Sequence, residues 1–553
     1  MTNNEPSDSA SKVRNEDPAS ENPEMLIPEE YQSGDPSRPL KYTDDKGFEY
    51  TYYLDPMWKA TIFILLLEGM ERFAYYVLQP EFYTFLTNPA FAGMTQADAA
   101  ALVSVFGGIS YVWPLIGGAV GDALTGQYKG ILIFSSVYLI ALVLVALMGS
   151  VNIYEDWMLP VFFYFLMPMG MGGVKSLISV MGANQFHPEL HKSEVTSYYM
   201  KFYMTINVCA ALSTAVNVYV NTVGDDLWKA FMIPAIVFGF GIVVYIAFQK
   251  RYVKRRPLGS VVVQVLKVGG RAMKSCPPSM NNQRESRGGK VQDSFVDDTW
   301  KMLSLIPFLF MAHFFFMMTY YQQANYLIYQ GFEMNPTGGI ESNVLNSAIN
   351  PVCIVGFGFL LDTWILPALR KRNMEPNHIN KIIIGCFCGT LAMLWQVLLE
   401  SLLKNGWNED RSQVISILAQ VPCYALIGLG EILVNPTGYD LAYKIAPQSF
   451  KGLAMGLSAF MVGSIPSFVA GALAKSTHAW QSDINGCSSR NDDTCNTTLV
   501  DPITGDPVWD YTTTNIQNLY WIGVGFSVTG MIVLHFLGKP LYRKFFIESD
   551  SYI

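Results

Sequence analysis

Long apolar segments recur along the whole chain, and they constrain the fold more than any other feature of the sequence. From about Trp58 onward, runs of about 20 mostly apolar residues alternate with polar links. A helix of that length spans the hydrocarbon core of a bilayer, so the pattern predicts a helical protein that crosses a membrane many times. Only 15% of the residues are charged, against roughly a quarter in soluble domains, and this excludes an ordinary soluble fold.

The apolar segments number twelve and form two groups of six. A polar linker, residues 251–299, separates a first bundle over residues 56–250 from a second bundle over residues 300–540. We therefore predict an all-α membrane protein with the major facilitator fold, in which 12 transmembrane helices form two six-helix bundles around a site near the midplane. The predicted spans are residues 57–79, 98–120, 129–150, 157–183, 196–218, 228–250, 301–330, 342–362, 379–403, 412–435, 450–474 and 515–538.

A short motif occurs at the same place in both halves. Gly118-x-x-x-Asp122 ends the second span and Gly358-x-x-x-Asp362 ends the eighth, and basic residues lie downstream of each. The repetition supports an internal repeat whose two halves are related by an axis along the membrane normal.

The distribution of Lys and Arg over the links predicts the orientation of the chain. The links after spans 6, 8 and 12 are rich in basic residues, whereas those after spans 1, 3, 5 and 7 contain acidic residues and neither Lys nor Arg. The positive-inside rule therefore places both termini and the linker in the cytosol. Residues 1–55 are polar and acidic, which predicts a disordered cytosolic tail, and residues 541–553 form a second tail. We expect the plasma membrane, with a vacuolar or lysosomal membrane as the alternative.

One polar link falls on the outer side in this orientation. It contains Cys487 and Cys495, followed by Asn496 in an Asn-Thr-Thr glycosylation sequon. A disulfide between the two cysteines and a glycan on Asn496 both require a compartment outside the cytosol. The two cues agree with the orientation that the basic residues predict.

The first span contains charges that an apolar helix does not normally carry. Glu68, Glu71 and Arg72 have the spacing i, i+3 and i+4, which places them on one face of a helix. Ionisable groups inside a membrane cost several kcal/mol unless they face a bundle interior or a water-filled cavity, and they usually mark transport or coupling sites. The alternative is an Arg72–Glu68 pair that only holds helices together.

Two further charges occupy matching positions in the two halves. Lys175 lies in the fourth span and Glu431 in the tenth, and the polar residue Asn207 lies in the fifth. A cation on one half would then face an anion on the other half across a central cavity. Such a site suits a zwitterion, with its carboxylate near Arg72 and Lys175 and its amine near Glu431. A purely structural Lys–Glu pair is the alternative.

Aromatic and amide side chains are expected to line this cavity. Tyr75, Tyr76 and Tyr111 can offer ring faces and hydroxyls to a ligand, although each of them individually is more typical of core packing. Gln322 on the seventh span is polar at a similar depth and is predicted to line the cavity. The sequence shows no spacing of ligands typical of a metal site.

These residues resemble the signature of a known family, the proton-coupled oligopeptide transporters. The segment Glu68-x-x-Glu71-Arg72-Phe73-x-Tyr75-Tyr76 is similar to its ExxERFxYY motif, and Gly430-Glu431-Ile432-x-x-Asn435-Pro436-Thr437-Gly438 is similar to a later landmark. The resemblance covers nearly the whole chain and also includes Tyr111-x-x-Pro114, Gly170-x-Gly-Gly-x-Lys175, Phe202-Tyr203-x-x-Ile206-Asn207 and Asn350-Pro351.

The resemblance implies import of di- and tripeptides by proton symport. It implies that Glu68 and Glu71, beside Arg72, couple the proton, and that no cofactor other than the proton is needed. The remaining roles that it implies concern the peptide: Arg72 and Lys175 at its carboxyl end, Asn207 and Asn350 near its backbone, Glu431 at its amine, and Tyr75, Tyr76 and Tyr111 along the pocket.

The sequence departs from the family pattern in two places that concern proton coupling. Ser104 stands where animal members carry a histidine, and no Asp or Glu occurs between Trp300 and Phe332, where many members have a carboxylate. Within transporters, the alternative is a nitrate or small-metabolite carrier of the same family. A peptide receptor that does not transport is another.

No catalytic set of residues, metal motif or phosphate-binding loop indicates an enzyme. The expected partners are therefore the peptide, the proton and the lipid bilayer, with no nucleic acid, and the chain is expected to be a monomer.

Overall fold

The computed structural model describes most of the predicted membrane region and part of the N-terminal segment. It describes residues 27–44, 47–88, 90–93, 96–223, 227–257, 268, 270–271, 280–289, 291–327, 330–331, 333–337, 342–407, 415–447, 450–481 and 510–543. Within these ranges the chain forms twelve long helices and one short hairpin. Cys487, Cys495 and Asn496 lie outside the described residues, so the disulfide and the glycan stay predictions.

The six helices of the first half follow one another with short links. They are α1 Ile62–Thr87, α2 Gln96–Val120, α3 Gly126–Met148, α4 Met167–Ala183, α5 Lys192–Val223 and α6 Leu227–Ala247. Wider π-type turns precede α1 at Met57–Thr61 and α4 at Pro160–Leu166, and another follows α2 at Gly121–Thr125.

The second half repeats this arrangement. Its helices are α7 Asp293–Gln322, α8 Ser342–Leu360, α9 His378–Gly406, α10 Val421–Ile445, α11 and α12 Gln517–Val533. Helix α11 consists of Lys451–Ala459 and Ile465–Ser476, joined by the π-type turn Phe460–Ser464. Helix α8 continues through Leu361–Ile365 to Leu366–Lys371, and α12 continues through Leu534–Gly538 to Lys539–Tyr542.

Each of the twelve predicted spans overlaps one of these helices, although many boundaries differ by several residues; α1, for example, ends at Thr87 and not at residue 79. Helix α7 begins at Asp293, inside the predicted linker. Helix α10 continues through Pro436 to Ile445, beyond the predicted end at residue 435. Apolar helices tolerate an internal proline when neighbouring helices satisfy the freed backbone groups, and residues around Pro436 are buried on all sides.

Among the described residues, nine stretches are long and apolar enough to cross a membrane. One of them, Val105–Met148, joins α2 and α3, so the nine stretches cover ten of the twelve helices. The other two are α1, which carries Glu68, Glu71 and Arg72, and α5. The all-α membrane fold predicted from the sequence is therefore confirmed.

The two halves meet along α2 with α11 and along α5 with α8 and α10. Close approach of α2 and α11 depends on glycine, since a Cβ on Gly118 would lie 2.1 Å from the carbonyl oxygen of Gly452. On the other side of α2, a Cβ on Gly117 would lie 2.4 Å from the Cα of Gly173 in α4. These positions therefore bring three helices into backbone contact.

The repeated Gly-x-x-x-Asp motif makes equivalent contacts in both directions across the interface. Asp122, after α2, accepts hydrogen bonds from the backbone N–H groups of Gly452 at 3.0 Å and Leu453 at 2.8 Å, in the first turn of α11. Asp362, after α8, accepts from Ser197 Oγ at 2.9 Å and pairs with Lys201 Nζ at 3.0 Å, near the start of α5. In each case a carboxylate of one half is bound by polar groups of the other half, and Asp122 lies at the positive end of α11.

Residues 27–44 and 47–55 differ from the disordered tail predicted for residues 1–55, whereas residues 1–26 lie outside the described residues. Strands β1 Leu40–Thr43 and β2 Glu49–Tyr52 form an antiparallel hairpin. Its side chains Leu40 and Tyr52 are buried with Val253, and Arg255 donates to the Tyr52 hydroxyl at 3.1 Å. A polar sequence with few aliphatic residues can thus be ordered when its few apolar side chains pack on a larger body.

A histidine in the α4–α5 link anchors this hairpin. The His187 ring has edge contacts with Tyr31, Tyr42 and Tyr52, and its Nε2 is 2.9 Å from the carbonyl oxygen of Lys41. Burial lowers the pKa of His187, because the surrounding rings remove water from the charged imidazolium. The neutral imidazole therefore suits this position.

We expect Gly118→Ala to destabilise the fold more than Gly107→Ala, which changes the same helix. The new methyl group at position 118 would collide with Gly452, whereas a Cβ at position 107 meets nothing within 4 Å. Overpacking of this kind costs about 1–3 kcal/mol, so the thermal midpoint of the detergent-solubilised protein should fall by several degrees for Gly118→Ala alone. Equal midpoints for the two variants would contradict the close approach.

Candidate functional site

The charged residues of α1 form one buried ion cluster. Arg72 donates from Nε and Nη2 to the two carboxylate oxygens of Glu71, the second at 2.5 Å, and its Nε lies 3.5 Å from Glu68 Oε1. All three side chains are essentially inaccessible to solvent. The principal partner of Arg72 is therefore its neighbour Glu71, and the pair with Glu68 that the spacing predicted is the weaker one.

Glu68 has few groups to stabilise its charge. Neither of its carboxylate oxygens accepts a hydrogen bond from the residues that the structure describes. Its one close cation, Arg72, already donates two hydrogen bonds to Glu71. A buried carboxylate in this situation is costly, and such groups are typical of functional sites.

Lys175 on α4 completes a four-charge group in the first half. Its ammonium nitrogen lies 3.8 Å from the centroid of the Tyr111 ring on α2, in a cation–π contact. It is also within electrostatic range of Glu68, Glu71 and Arg72. The structure thus brings Lys175 to the ion cluster of α1.

Tyr75 and Tyr76 surround the same cluster. The Arg72 guanidinium lies 5.2 Å from the Tyr75 ring centroid, and the two tyrosine rings meet edge to face at 5.2 Å. Tyr76 is within electrostatic range of both Arg72 and Glu431. It therefore lies between the charges of the two halves.

Glu431 in the second half is held by a polar network that crosses the interface. Its Oε1 accepts from the hydroxyl of Tyr203 on α5, and its Oε2 accepts from Asn350 Nδ2 at 3.2 Å. Asn435, one turn along α10, donates to the Tyr203 hydroxyl at 2.7 Å. The sequence had placed Asn350 and Glu431 at this site, and the structure brings them into direct contact.

A second contact between the halves is aromatic. The Tyr111 ring packs against Gly463 of α11, where a Cβ would lie 2.2 Å from the ring. Tyr321 of α7 donates to the Gly463 carbonyl oxygen at 3.3 Å and accepts from Ser467 Oγ at 2.7 Å. Lys175, Tyr111 and Tyr321 therefore form a continuous wall from α4 to α7.

Gln322 does not lie where the sequence predicted. Its Cγ would be 3.4 Å from a Cβ on Gly523, so the side chain packs against α12 inside the second bundle. Thr319 bonds to the same helix, and Phe315 packs against Gly530 of α12. Residues 315, 319 and 322 share one helical face, whereas Tyr320 and Tyr321 lie on another, because three and four residues make one turn. The face that lines the interface is that of the tyrosines.

Asn207 is buried at the interface but bonds within its own helix. Its Nδ2 donates to the backbone carbonyl oxygen of Tyr203 at 2.9 Å. Tyr203, Asn435 and Gly463 contribute to the site although sequence reasoning assigned them no role. The spacing held a signal for two of them, since Asn435 follows Glu431 by four residues and Tyr203 precedes Asn207 by four.

Two six-helix halves with buried charges along their interface define a membrane transporter of the major facilitator type. A family model described as the POT family matches residues 128–489, well over half of the chain. The protein therefore belongs to the POT family, which is a family of membrane transporters and not of enzymes. It is a multi-pass membrane protein, as the sequence predicted.

Curated relatives and solved structures agree with this assignment. A "Probable peptide transporter ptr2" of Schizosaccharomyces pombe is 27% identical over 73% of this chain and 71% of its own length. "Protein NRT1/ PTR FAMILY 5.14" of Arabidopsis thaliana is 27% identical over 74% and 83%. The fold is similar to that of an "auto inhibited POT family peptide transporter", with a TM-score of 0.61 and 19% identity over 87% of this chain and 96% of that one.

We expect Arg72→Gln to destabilise the protein more than the double substitution Glu71→Gln/Arg72→Gln. The single change leaves the two carboxylates Glu68 and Glu71 with Lys175 alone as a cation, and loss of one partner of a buried pair costs about 3–5 kcal/mol. The double change removes one charge of each sign, so part of the loss should be recovered. Thermal midpoints at about pH 7.5 provide the comparison, and a double variant less stable than the single one would contradict the pairing.

Proposed function

We propose that the protein is a proton-coupled symporter that imports di- and tripeptides by alternating access. The observation that carries the proposal is that Glu431 of the second half bonds to Tyr203 of the first, while Tyr76 is within electrostatic range of both Glu431 and Arg72. A peptide presents a carboxylate and an amine a few ångströms apart. Arg72 and Lys175 suit the carboxylate, Glu431 suits the amine, and Asn207 and Asn350 lie on helices where they can reach the peptide backbone.

The charge balance of the site supports proton coupling. Glu68, Glu71 and Glu431 contribute three negative charges, and Arg72 and Lys175 contribute two positive charges. A zwitterionic peptide adds no net charge, so one proton makes the loaded site neutral. A neutral site can change its exposure to either side at lower cost than a charged one, because uncompensated charge is expensive in a low-dielectric interior.

The geometry of Arg72 suggests how peptide and proton are linked. Arg72 donates two hydrogen bonds to Glu71. A peptide carboxylate that competes for these donors would leave Glu71 unpaired. An unpaired buried carboxylate is stabilised by taking up a proton, so each ligand favours the binding of the other. Glu68, which lacks donors among the described residues, is the second candidate carrier.

Contacts at the basic end of the molecule fit the role of a gate. Tyr443 donates to Asn184 at 2.8 Å and Thr196 donates to Asp440 at 2.8 Å, both across the interface. With the termini in the cytosol, as the basic residues predict, these bonds close the cytosolic side of a plasma-membrane importer. Release of the peptide requires them to break, and each contributes only about 0.5–1.5 kcal/mol net.

A nitrate or small-metabolite carrier is the second candidate function. The plant relative carries the name "Protein NRT1/ PTR FAMILY 5.14" and not that of a peptide transporter. An anion without an amine, however, makes no use of Glu431 and its network. Peptide transport therefore accounts for more of the buried polar groups.

Proteoliposomes that contain the protein should accumulate a labelled dipeptide when the outside pH is about 5.5 and the inside pH is about 7.5. A protonophore should abolish the accumulation. Glu71→Gln should abolish gradient-driven uptake but retain exchange of peptide, because exchange needs no net proton movement. Accumulation that persists with the protonophore would contradict symport, and saturable binding without accumulation would favour a receptor.

We expect Glu431→Gln to impair uptake of peptides with a free amine selectively. The substitution keeps the size of the side chain and removes the charge that would pair with an ammonium group. The ratio of uptake of a free dipeptide to that of its N-acetylated form should fall by roughly tenfold or more. Equal losses of uptake for both forms would contradict the assignment of Glu431 to the amine. They would not contradict the proposal that the protein transports peptides.

A further inference from the structure

A small cavity lies at the basic end of the second half and shares no residue with the charged site. It measures about 140 Å³ and lies between the start of α9 and the end of the α12 extension. Its wall consists of cationic, amide and hydroxyl side chains with one aliphatic residue: Asn377, Ile379, Asn380, Lys539, Tyr542 and Arg543. No carboxylate of the residues that the structure describes contributes to it.

The two cations of this cavity are not balanced by acidic side chains. Among the residues that the structure describes, neither Lys539 nor Arg543 forms an ion pair, and the nearest recorded partner of Lys539 is His535 Nδ1 at 3.2 Å. Other basic residues on this end are paired, such as Arg370 with Glu375 at 2.7 Å. The cavity thus concentrates positive charge together with neutral hydrogen-bond donors.

The cavity wall is firmly held. Asn377 caps α9 by accepting from the backbone N–H of Asn380 at 3.0 Å. The Tyr542 hydroxyl lies 3.1 Å from His378 Nδ1, and Gly538 allows α12 to approach Ile379. The two helix ends that carry the cavity residues are therefore fixed relative to each other.

The surface beside the cavity is apolar and exposed. Phe536 and Leu537, one turn before Lys539, are 68% and 57% exposed, and Ile384 on α9 is 41% exposed. In a membrane protein, such side chains face the acyl chains of lipids. A phosphate group in the cavity would thus lie directly next to a surface that accommodates hydrocarbon.

We propose that this cavity binds the phosphorylated headgroup of an anionic membrane lipid. A phosphate monoester is small enough for the cavity, accepts hydrogen bonds from Lys539, Arg543 and the amides, and balances both positive charges. Basic pockets between transmembrane helices on the cytosolic side are a recognised setting for such headgroups. The adjacent apolar surface favours a lipid over free phosphate.

The cavity is also connected to the contact between the halves. Tyr542 contacts His378, whose Nε2 lies 2.8 Å from Asp440 Oδ2. The same Asp440 oxygen accepts from Thr196 of the first half. A headgroup beside Tyr542 is therefore two side chains away from a bond that joins the halves.

Titration of the full-length protein in neutral detergent with a short-chain phosphatidylinositol 4-phosphate tests the proposal. We expect saturable stabilisation of the protein, and a dissociation constant roughly thirtyfold higher for Lys539→Gln/Arg543→Gln, because each basic residue near the headgroup strengthens binding about fivefold. The matched control is Lys371→Gln/Arg372→Gln, which removes the same charge from the same end outside the cavity. Equal weakening in both double variants would overturn the site.

Further measurements distinguish a lipid headgroup from free phosphate and from the chain's own tail as the ligand. Inorganic phosphate and inositol 1,4-bisphosphate should bind at least tenfold more weakly than the lipid; equal affinity would overturn the lipid as the occupant. Asn380→Asp, which adds a negative charge at a helix start where acidic residues are favoured, should abolish binding without loss of fold. If binding appeared only after deletion of residues 544–553, the chain's own tail would be the occupant and the proposal would be overturned.

Discussion

Charge inside an apolar protein must be balanced by the protein itself, and this constraint organises the interface between the two halves. Arg72 satisfies it with Glu71, and Glu431 satisfies it with Tyr203 and Asn350. The first pair lies within α1, whereas the second solution requires α5, α8 and α10 to approach within hydrogen-bond distance. The glycines that allow backbone contact between α2, α4 and α11 then serve the same purpose, because they set how closely the halves can pack.

The interface is polar where it must open and close. Asp122 contacts the start of α11, Asp362 contacts side chains of α5, and Thr196 and Tyr443 add single hydrogen bonds at the same end. Each bond is weak on balance, because its groups exchange it for water when they separate. A large apolar interface would be harder to separate, so the use of hydrogen bonds suits a protein whose halves move relative to one another.

The fold could be predicted from the sequence because its main determinant is local. A run of apolar residues forms a membrane helix whatever its neighbours, and all twelve helices lie where hydropathy placed them. A pairing one helical turn apart was also accessible, that of Arg72 with Glu68, although the structure makes Glu71 the principal partner. Asn350 and Glu431 were expected at one site only because the family resemblance assigned both to the same ligand, and their direct contact was not predicted.

Other features depended on which face each helix turns to its neighbours, and periodicity alone does not fix that. Gln322 is polar and at the expected depth, yet it faces α12, since the tyrosines of α7 occupy the interface. The hairpin at the N-terminus is ordered by Val253 and His187, which lie more than a hundred residues away. The sequence of a tail with so few apolar residues predicts disorder, because the surface on which the tail packs cannot be recognised from the sequence.

The sequence by itself determined the class of protein, the number of helices and the identity of the charges that must be buried, because hydropathy and charge are properties of single residues. Only the tertiary structure decided that Tyr203 and Asn435 hold Glu431, that Tyr111 meets Gly463, and that Lys539 and Arg543 share a cavity with the start of α9. Those decisions rest on distances between helices that are far apart in sequence, and such distances follow from the packing of whole faces.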